Sequence, residues 1–258
     1  HLSFWTQYAL KVQGLKIVDP SVGSGAFLVL AFDILVDEKK RINKELFNLN
    51  AEPLFHHVEE DTLQQNLYGV DLSPEAVNIT RISLWLKVAH KKQPLVKLEH
   101  TIRTGNAVTD FDWQESFPEV FAQGGFDLVV GNPPYIRHEL IRDVKPLLKE
   151  RFETYTGTAD LYVYFHELSY DILKPQGRFG FISSNQWMKS QYGKRLRGFI
   201  TENTTITHLL DLTGRKIFKD ASVDTNILMF KKALPSLHDQ IIFEEKPFFE
   251  TPKYVSQS

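Results

Sequence analysis

"LKIVDPSVGSGAFLVLAFDILV", residues 15–36, decides the architecture. Its first five residues form a short apolar run that Pro20 interrupts. Glycines follow at 23 and 25, and apolar residues then continue at helical spacing from about Phe27 to Val36. A buried strand that passes through a glycine turn straight into an apolar helix is the opening half of a β-α-β unit. Gly23 and Gly25 let the backbone turn tightly and approach a ligand closely.

Working outward, "LYGVD" (67–71) reads as a second strand. Ser73 and Pro74 then form a cap and first-turn pair for a helix reaching about His90. "HTIRTG" (100–105) is a third, weaker strand and "FDLVVG" (126–131) a strong fourth. "DLYVYFHELSYDILK" (160–174) is helical, and "PQG" separates it from the strand "RFGFISS" (178–184). A basic amphipathic helix is expected around 190–202, then the strands "ITHLLDL" (206–212) and "TNILMFKK" (225–232). Upstream, "SFWTQYALKVQG" (3–14) places Phe4, Trp5, Tyr8, Ala9 and Val12 on one helical face, with Gly14 as a stop. Residues 37–65 are polar and read as helix ends and an excursion, and 136–158 as a charged loop or insertion.

Alternating strands and helices predict an α/β fold with a mostly parallel seven-stranded sheet and helices on both faces. The last two strands have no helix between them, so a terminal antiparallel hairpin is expected. Residues 1–235 read as one domain, and 236–258 as a linker or the start of a further C-terminal region. The chain opens at His1 without a methionine, which suggests a fragment or processed form.

The chain has 258 residues, 42% hydrophobic and 24% charged, with a net charge of −2. That balance suits a soluble globular protein, and any nucleic-acid surface must be local rather than global. There is no cysteine, which excludes disulfides and thiolate metal ligands and favours a cytoplasmic setting. No apolar run approaches the ~20 residues of a membrane span, and no signal peptide is visible. No metal site is expected.

The glycine turn lacks the third glycine of a dinucleotide fingerprint and the Lys-Ser/Thr of a phosphate-binding loop. Asp19 at the strand tip would repel a pyrophosphate but accept hydrogen bonds from an ammonium or hydroxyl. The turn therefore suits a nucleoside without phosphates. Asp71 ends the second strand, where a carboxylate can accept both ribose hydroxyls; a helix cap explains it equally well. Asn106, after the third strand, could read an adenine edge or simply form a turn.

"GNPPYIR" (131–137) follows the fourth strand. An exocyclic amine on a base is a poor nucleophile because its lone pair is delocalised into the ring. Two acceptors around the NH₂ can draw it towards a pyramidal geometry. Asn132 offers a side-chain carbonyl, and Pro133 a backbone carbonyl. Pro133 and Pro134 fix the local backbone, so the acceptors are set before substrate arrives. Tyr135 supplies a flat face for an extruded base. A strand-ending turn explains the prolines but not this ordered set.

"DPSVGSGAFL", "GVDLSPEAVNITRISLWL", "FDLVVGNPPY", "LYVYFHELSYDILKPQGRFGFI" and "KIFKDASVDTNILMF" occur in the order found in gamma-class adenine-N6 DNA methyltransferases. The chain resembles, more narrowly, the methylase core of type IIG restriction–modification enzymes, over roughly residues 10–232. The resemblance implies a class I S-adenosylmethionine-dependent, Rossmann-like fold. It implies that Asp19, Pro20, Gly23 and Gly25 form the first cofactor motif and that Asp71 holds the ribose. Asn106 matches an aspartate near the cofactor's adenine amine, and Leu72 and Ala107 are counted with these acids' loops. Phe165 falls where the family packs an aromatic beside the cofactor adenine. Asn132, Pro133, Pro134 and Tyr135 match the catalytic motif, and Phe218 matches the aromatic that sandwiches a flipped adenine with the tyrosine.

The implied partner is double-stranded DNA, with a target-recognition domain, and with or without a nuclease domain, fused or associated. Lys189, Lys194, Arg195 and Arg197 on the late helix, and Arg215, Lys216 and Lys219 around Phe218, are candidate phosphate contacts. The family's Thr-Pro element before the first strand is not found, nor is a recognition domain after Lys232. "NPPY" alone also occurs in RNA and protein-glutamine methylases, so those acceptors stay open. A cofactor- and DNA-binding subunit inactive in isolation is the reading from another class.

Overall fold

Apolar residues at helical spacing give α1 (Leu2–Gly14), but only Ala9 and Val12 of the expected face are buried in the computed structural model. Phe4 is exposed, and the half-buried Trp5 is covered by the Arg41 guanidinium, 4.9 Å from its ring centre. The structure describes residues 1–89, 96–215, 223–236, 239–245 and 253–256. The chain divides into two compact units, one of residues 1–107 and 112–122, the other of 108–111 and 123–258.

In the first unit, α1 is followed by β1 (Ile17–Asp19), α2 (Ala26–Asn48), α3 (Val58–Gln65) and β2 (Leu67–Asp71). Next come α4 (Pro74–Leu86), β3 (Ile102–Thr104), α5 (Trp113–Ser116) and α6 (Pro118–Phe121). β1 and β3 both pair with β2 in parallel, with Asp19 opposite Gly69 and Asp71 opposite Thr104. β1 and most of β2 are buried, as uninterrupted apolar strands of a covered parallel sheet should be. α4 starts as expected: Ser73 Oγ accepts from the Ala76 amide at 3.1 Å and Pro74 takes the first turn.

α2 runs twelve residues beyond the expected end at Val36. Lys39, Ile42 and Leu46 continue the buried face set by Phe32 and Leu35. Lys39 disguises this continuity, because a lysine reads as surface. It is 1% exposed, and its ammonium donates to Thr62 Oγ1 (2.9 Å) and Asn66 Oδ1 (2.7 Å). Burial pushes that ammonium down to about 8. Asn66 in turn donates to the carbonyls of Gln13 and Leu15, closing the end of α1.

The second unit contains β4 (Phe126–Gly131), a single 3-10 turn (Arg142–Val144), α7 (Lys145–Arg151), α8 (Tyr162–Ile172) and β5 (Leu173–Ser184). α9 (Gln186–Lys189), α10 (Lys194–Asn203), β6 (Thr205–Asp211), β7 (Thr225–Lys231), β8 (Gln240–Glu245) and β9 (Lys253–Ser256) complete it. The stretch expected as a loop at 136–158 thus carries helical turns, anchored by the buried Leu148. β4 and β5 are parallel, while β7 runs antiparallel to both β5 and β6, forming the expected hairpin. Residues 236–258, read as a linker or the start of a further region, carry β8, parallel to β6, and β9, antiparallel to β8. These two strands extend the seven expected.

"PQG" does not separate α8 from β5. β5 begins at Leu173, and its register against β4 shifts between Phe126 and Leu128 so that the extra residues bulge out. Gln176 takes φ 68° there, and its amide bonds to the Lys232 carbonyl at 2.9 Å. α8 is buried from Tyr162 to Ser169, and Phe179 stacks on Phe230 at 4.2 Å beneath the sheet. Among the described residues no helix is long and apolar enough to cross a membrane.

Candidate active site

Three parallel strands of the first unit end in the residues that the sequence singles out. Asp19 closes β1, Asp71 closes β2, and Asn106 lies two residues beyond β3. The turn after β1 is fastened to β2: the Val22 amide bonds to the Val70 carbonyl at 3.0 Å, and the Gly23 amide to Asp71 Oδ2 at 2.9 Å. Asp71 Oδ1 also takes the Ser73 amide at 3.0 Å, so the carboxylate ties the glycine turn to the start of α4. Each oxygen keeps a second lone pair for a ligand. Both alternatives for Asp71, anchor of the helix start and acceptor for hydroxyls, are thus compatible.

Gly25 is the position that demands glycine. It sits at φ 81°, and a Cβ there would lie 2.9 Å from Thr80 Cγ2. Thr80 in turn donates to the Gly23 carbonyl at 3.0 Å, so α4 packs directly onto the turn. Leu72 is 67% exposed beside Asp71 and offers a bare apolar surface next to a hydroxyl acceptor. Gly105 donates to the Asp71 carbonyl at 2.8 Å and leads into Asn106. Ala107 is buried, its carbonyl taking the Trp113 indole N–H at 3.1 Å.

Asp19 differs from the expectation of direct ligand contact. It is 1% exposed and spends Oδ1 on the Ser21 amide at 3.0 Å, while Pro20 beside it is buried. Burial, opposed by the Ser21 amide and reinforced by the Asp71 charge, pushes its carboxyl up to about 7. Since this lies above the ordinary 3.8, the folded state holds more protons than the unfolded state between about pH 4 and 7. Stability therefore falls as pH rises through that window, by up to roughly 4 kcal/mol. Asp19→Asn should lack this component. Denaturant unfolding of both proteins at pH 4.5 and 7.5 tests it, and equal pH dependence would remove the buried-carboxylate account.

In the second unit, β4 delivers Asn132 to Tyr135 directly from its carboxyl end. Pro133 is buried, and Asn132, Pro134 and Tyr135 are half-buried. The Tyr135 hydroxyl donates to Asn132 Oδ1 at 2.8 Å. Burial pushes the phenol's pKa up, so it remains a donor. This bond gives the amide oxygen a defined direction. Neither the proline spacing nor the aromatic residue type foretells it.

A second feature absent from the sequence reading is the clamp that residues 160–162 place on the same stretch. Asp160 Oδ1 accepts from the His138 amide at 3.0 Å, and the Leu161 amide donates to the Ile136 carbonyl at 2.9 Å. The Tyr162 ring stands edge-on to Tyr135, 6.1 Å between centres. The Tyr162 hydroxyl meets Tyr192 Oη at 3.0 Å and accepts from the Trp187 amide at 3.1 Å. The start of α8 therefore sets the tetrapeptide's exit. An aspartate just before a helix is the only trace of this in the sequence.

Phe165, expected at a cofactor ring, is 5% exposed within α8. The basic residues divide. Lys189 and Lys194 are exposed, whereas Arg195 donates to the Tyr155 carbonyl at 2.8 Å. Arg197 turns inward, donating to the carbonyls of Trp187 (2.5 Å) and Ser190 (3.0 Å), so it builds the turn before α10. Arg215 is half-buried after β6. Lys216, Phe218 and Lys219 lie outside the described residues.

The model of the Eco57I restriction-modification methylase family matches residues 65–218, more than half of the 258. The chain is 34% identical over 211 residues to the type II methyltransferase M.BstVI of Geobacillus stearothermophilus, a match covering 81% of this chain and 35% of that protein. It is 41% identical over 210 residues to the type II methyltransferase M.PaeR7I of Pseudomonas aeruginosa, covering 79% and 33% respectively. The chain thus spans about a third of the length of these curated relatives. Among solved structures it is similar to the type IIL restriction-modification enzyme MmeI in complex with DNA. That likeness has a TM-score of 0.74 and 17% identity, and covers 99% of this chain and 36% of that one. The fold is the class I S-adenosylmethionine-dependent methyltransferase fold expected from the sequence.

Proposed function

Because the chain belongs to the Eco57I restriction-modification methylase family, we propose that it transfers a methyl group from S-adenosylmethionine to adenine N6 in double-stranded DNA, on a base extruded from the helix. The observation that carries this reading is the Asn132 amide, oriented by the Tyr135 hydroxyl, beside the carbonyl acceptor of Pro133, a residue without an N–H.

The first unit suits the cofactor's nucleoside end. Its turn after β1 contains no lysine or arginine and stands beside two aspartates, which disfavours phosphates. Asp71 would accept the ribose hydroxyls, Leu72 would cover an apolar ring face, and Asn106 would meet the adenine edge. When bound, S-adenosylmethionine supplies an electrophilic methyl on a sulfonium that departs as a neutral thioether.

The remaining work belongs to the protein. Asn132 Oδ1 and the Pro133 carbonyl accept the two N6–H bonds and free the lone pair from the ring. Tyr135 stacks on the base, and its hydroxyl keeps Asn132 from rotating away. No strong base is needed, since the methylated amine is acidic enough to release its proton to water. Positioning and preset polarity carry the rate. Lys189, Lys194 and Arg195 are the described cations we assign to phosphates. Sequence choice is assigned to a target-recognition domain, fused or associated.

Radiolabelled methyl transfer from S-adenosylmethionine to DNA, RNA and protein tests the reading. Label should enter DNA alone, and nucleoside digestion should return it as N6-methyladenine. Label in RNA or on glutamine would replace the acceptor; label nowhere, with cofactor bound, would make the chain a binding subunit.

A further inference from the structure

A cavity of about 380 Å³ opens in the second unit, immediately beyond the catalytic tetrapeptide. This is the small end of the range for ligand-holding clefts. Its walls come from both sides of the clamp: Arg137, His138 and Glu139 follow Tyr135, and Asp160 precedes α8. Thr158, Gln186 and Tyr192 close it. Gln186 follows the end of β5, which lies parallel to β4, so two neighbouring strands point their carboxyl ends at it.

Its chemistry is mixed and polar. Asp160 faces the His138 ring, with 3.7 Å to Nδ1, and Glu139 approaches Nε2 at 3.4 Å, so both acids are turned towards one imidazole. Arg137 is exposed, and among the described residues its guanidinium takes part in no hydrogen bond or ion pair. Gln186 is also exposed: its backbone amide bonds to Ser184 Oγ at 3.3 Å and its carbonyl accepts from the Ser190 amide at 2.9 Å, while its side-chain amide takes part in no hydrogen bond among the described residues. The cavity therefore presents a cation for an anion beside an amide that can donate and accept at once. An apolar ligand would leave all of these groups unpaired.

Resting on the proposed DNA-adenine activity, we propose that this cavity holds the nucleotide next to the extruded adenine on the same strand. Its phosphodiester lies on Arg137 and the edge of its base on Gln186. Strand continuity supplies the argument for the occupant. Neighbouring nucleotides are joined by one phosphodiester, so the group that holds the neighbour must lie one nucleotide from the stacking tyrosine. The cavity begins two residues beyond Tyr135. The clamp gives it a second role: Asp160 and Tyr192 line the cavity, and Asp160 and Tyr162 fix the exit of the tetrapeptide. A neighbour seated correctly thus meets Asp160, which also holds the exit of the tetrapeptide.

The test uses the whole protein with Arg137→Ala and Gln186→Ala, measuring methyl transfer to unmethylated plasmid DNA over a range of DNA and salt concentrations. Cofactor affinity is measured separately, and methylated adenines are mapped by sequencing. Each variant should raise the KM for DNA roughly tenfold or more, with kcat within about twofold and cofactor affinity unchanged. Arg137→Ala should reduce the salt slope of DNA binding by about one, and Gln186→Ala should leave it unchanged. Gln186→Ala should also broaden the set of nucleotides found beside methylated adenines. An active wild type whose two variants keep its KM overturns this proposal alone. A wild type that methylates RNA or protein, and no DNA, overturns the functional reading and this proposal with it.

Discussion

Asn132→Ala should lower the rate of methyl transfer by about a thousandfold while leaving cofactor affinity and thermal stability near those of the wild type. The magnitude follows from the loss of one preset polar contact that acts on the amine only as it reacts, the class of group whose removal costs about 10²–10³ in rate. The side chain is half-buried and hangs from a turn whose backbone is fixed by two prolines, so the fold does not depend on it. Tyr135→Phe separates the amide's presence from its orientation. The ring and its edge contact with Tyr162 survive, but the 2.8 Å bond to Asn132 Oδ1 is gone. A rate ten to a hundredfold below wild type is expected, about the cost of one strong hydrogen bond. Single-turnover transfer with saturating cofactor distinguishes the two variants. If Asn132→Ala keeps more than a tenth of the rate, the amide is not the acceptor that prepares the amine. If Tyr135→Phe matches wild type, the hydroxyl only fills space.

The second large effect is structural. Gly193→Ala should lower stability by about 3 kcal/mol or more. Its Cβ would fall 1.9 Å from the Trp187 carbonyl oxygen and 2.6 Å from the carbonyl carbon, and backbone cannot swing aside as a side-chain tip can. The turn would have to open, pulling Trp187 from the Tyr162 hydroxyl and Arg197 from the carbonyls it holds. For a chain of this size that corresponds to a fall in Tm of roughly 6–12 °C. Gly198→Ala is the internal control. It lies within α10, where the nearest atom to an added Cβ is Glu202 Oε1 at 3.8 Å, so alanine should be neutral or slightly stabilising there. Calorimetry on both variants decides, and comparable losses would show that the Trp187 contact does not set the cost.

The strand–turn–helix opening, the acids at the tips of β1 and β2, and the tetrapeptide after β4 were all legible because each depends on local order. A glycine pair between a strand and a helix, or two prolines after an apolar run, has few conformations open to it. What escaped reading depended on partners far along the chain. Lys39 is 1% exposed because Thr62 and Asn66 receive its ammonium, and this hid the second half of α2. Arg197 resembles a phosphate contact by residue type, yet two carbonyls of the preceding turn claim it.

By itself, then, the sequence determined the order of the first seven strands, the acids at the tips of β1 and β2, and the Asn-Pro-Pro-Tyr turn after β4, since residue type and spacing constrain these locally. Only the tertiary structure decided that Asp19 is enclosed while Asp71 remains half-open, and that Tyr135 aims Asn132. It also decided that residues 160–162 hold the exit of the tetrapeptide beside a polar cavity. Those outcomes turn on which polar atoms meet after the chain has folded back on itself, and a hydrogen bond between residues twenty or fifty apart leaves no mark on their spacing.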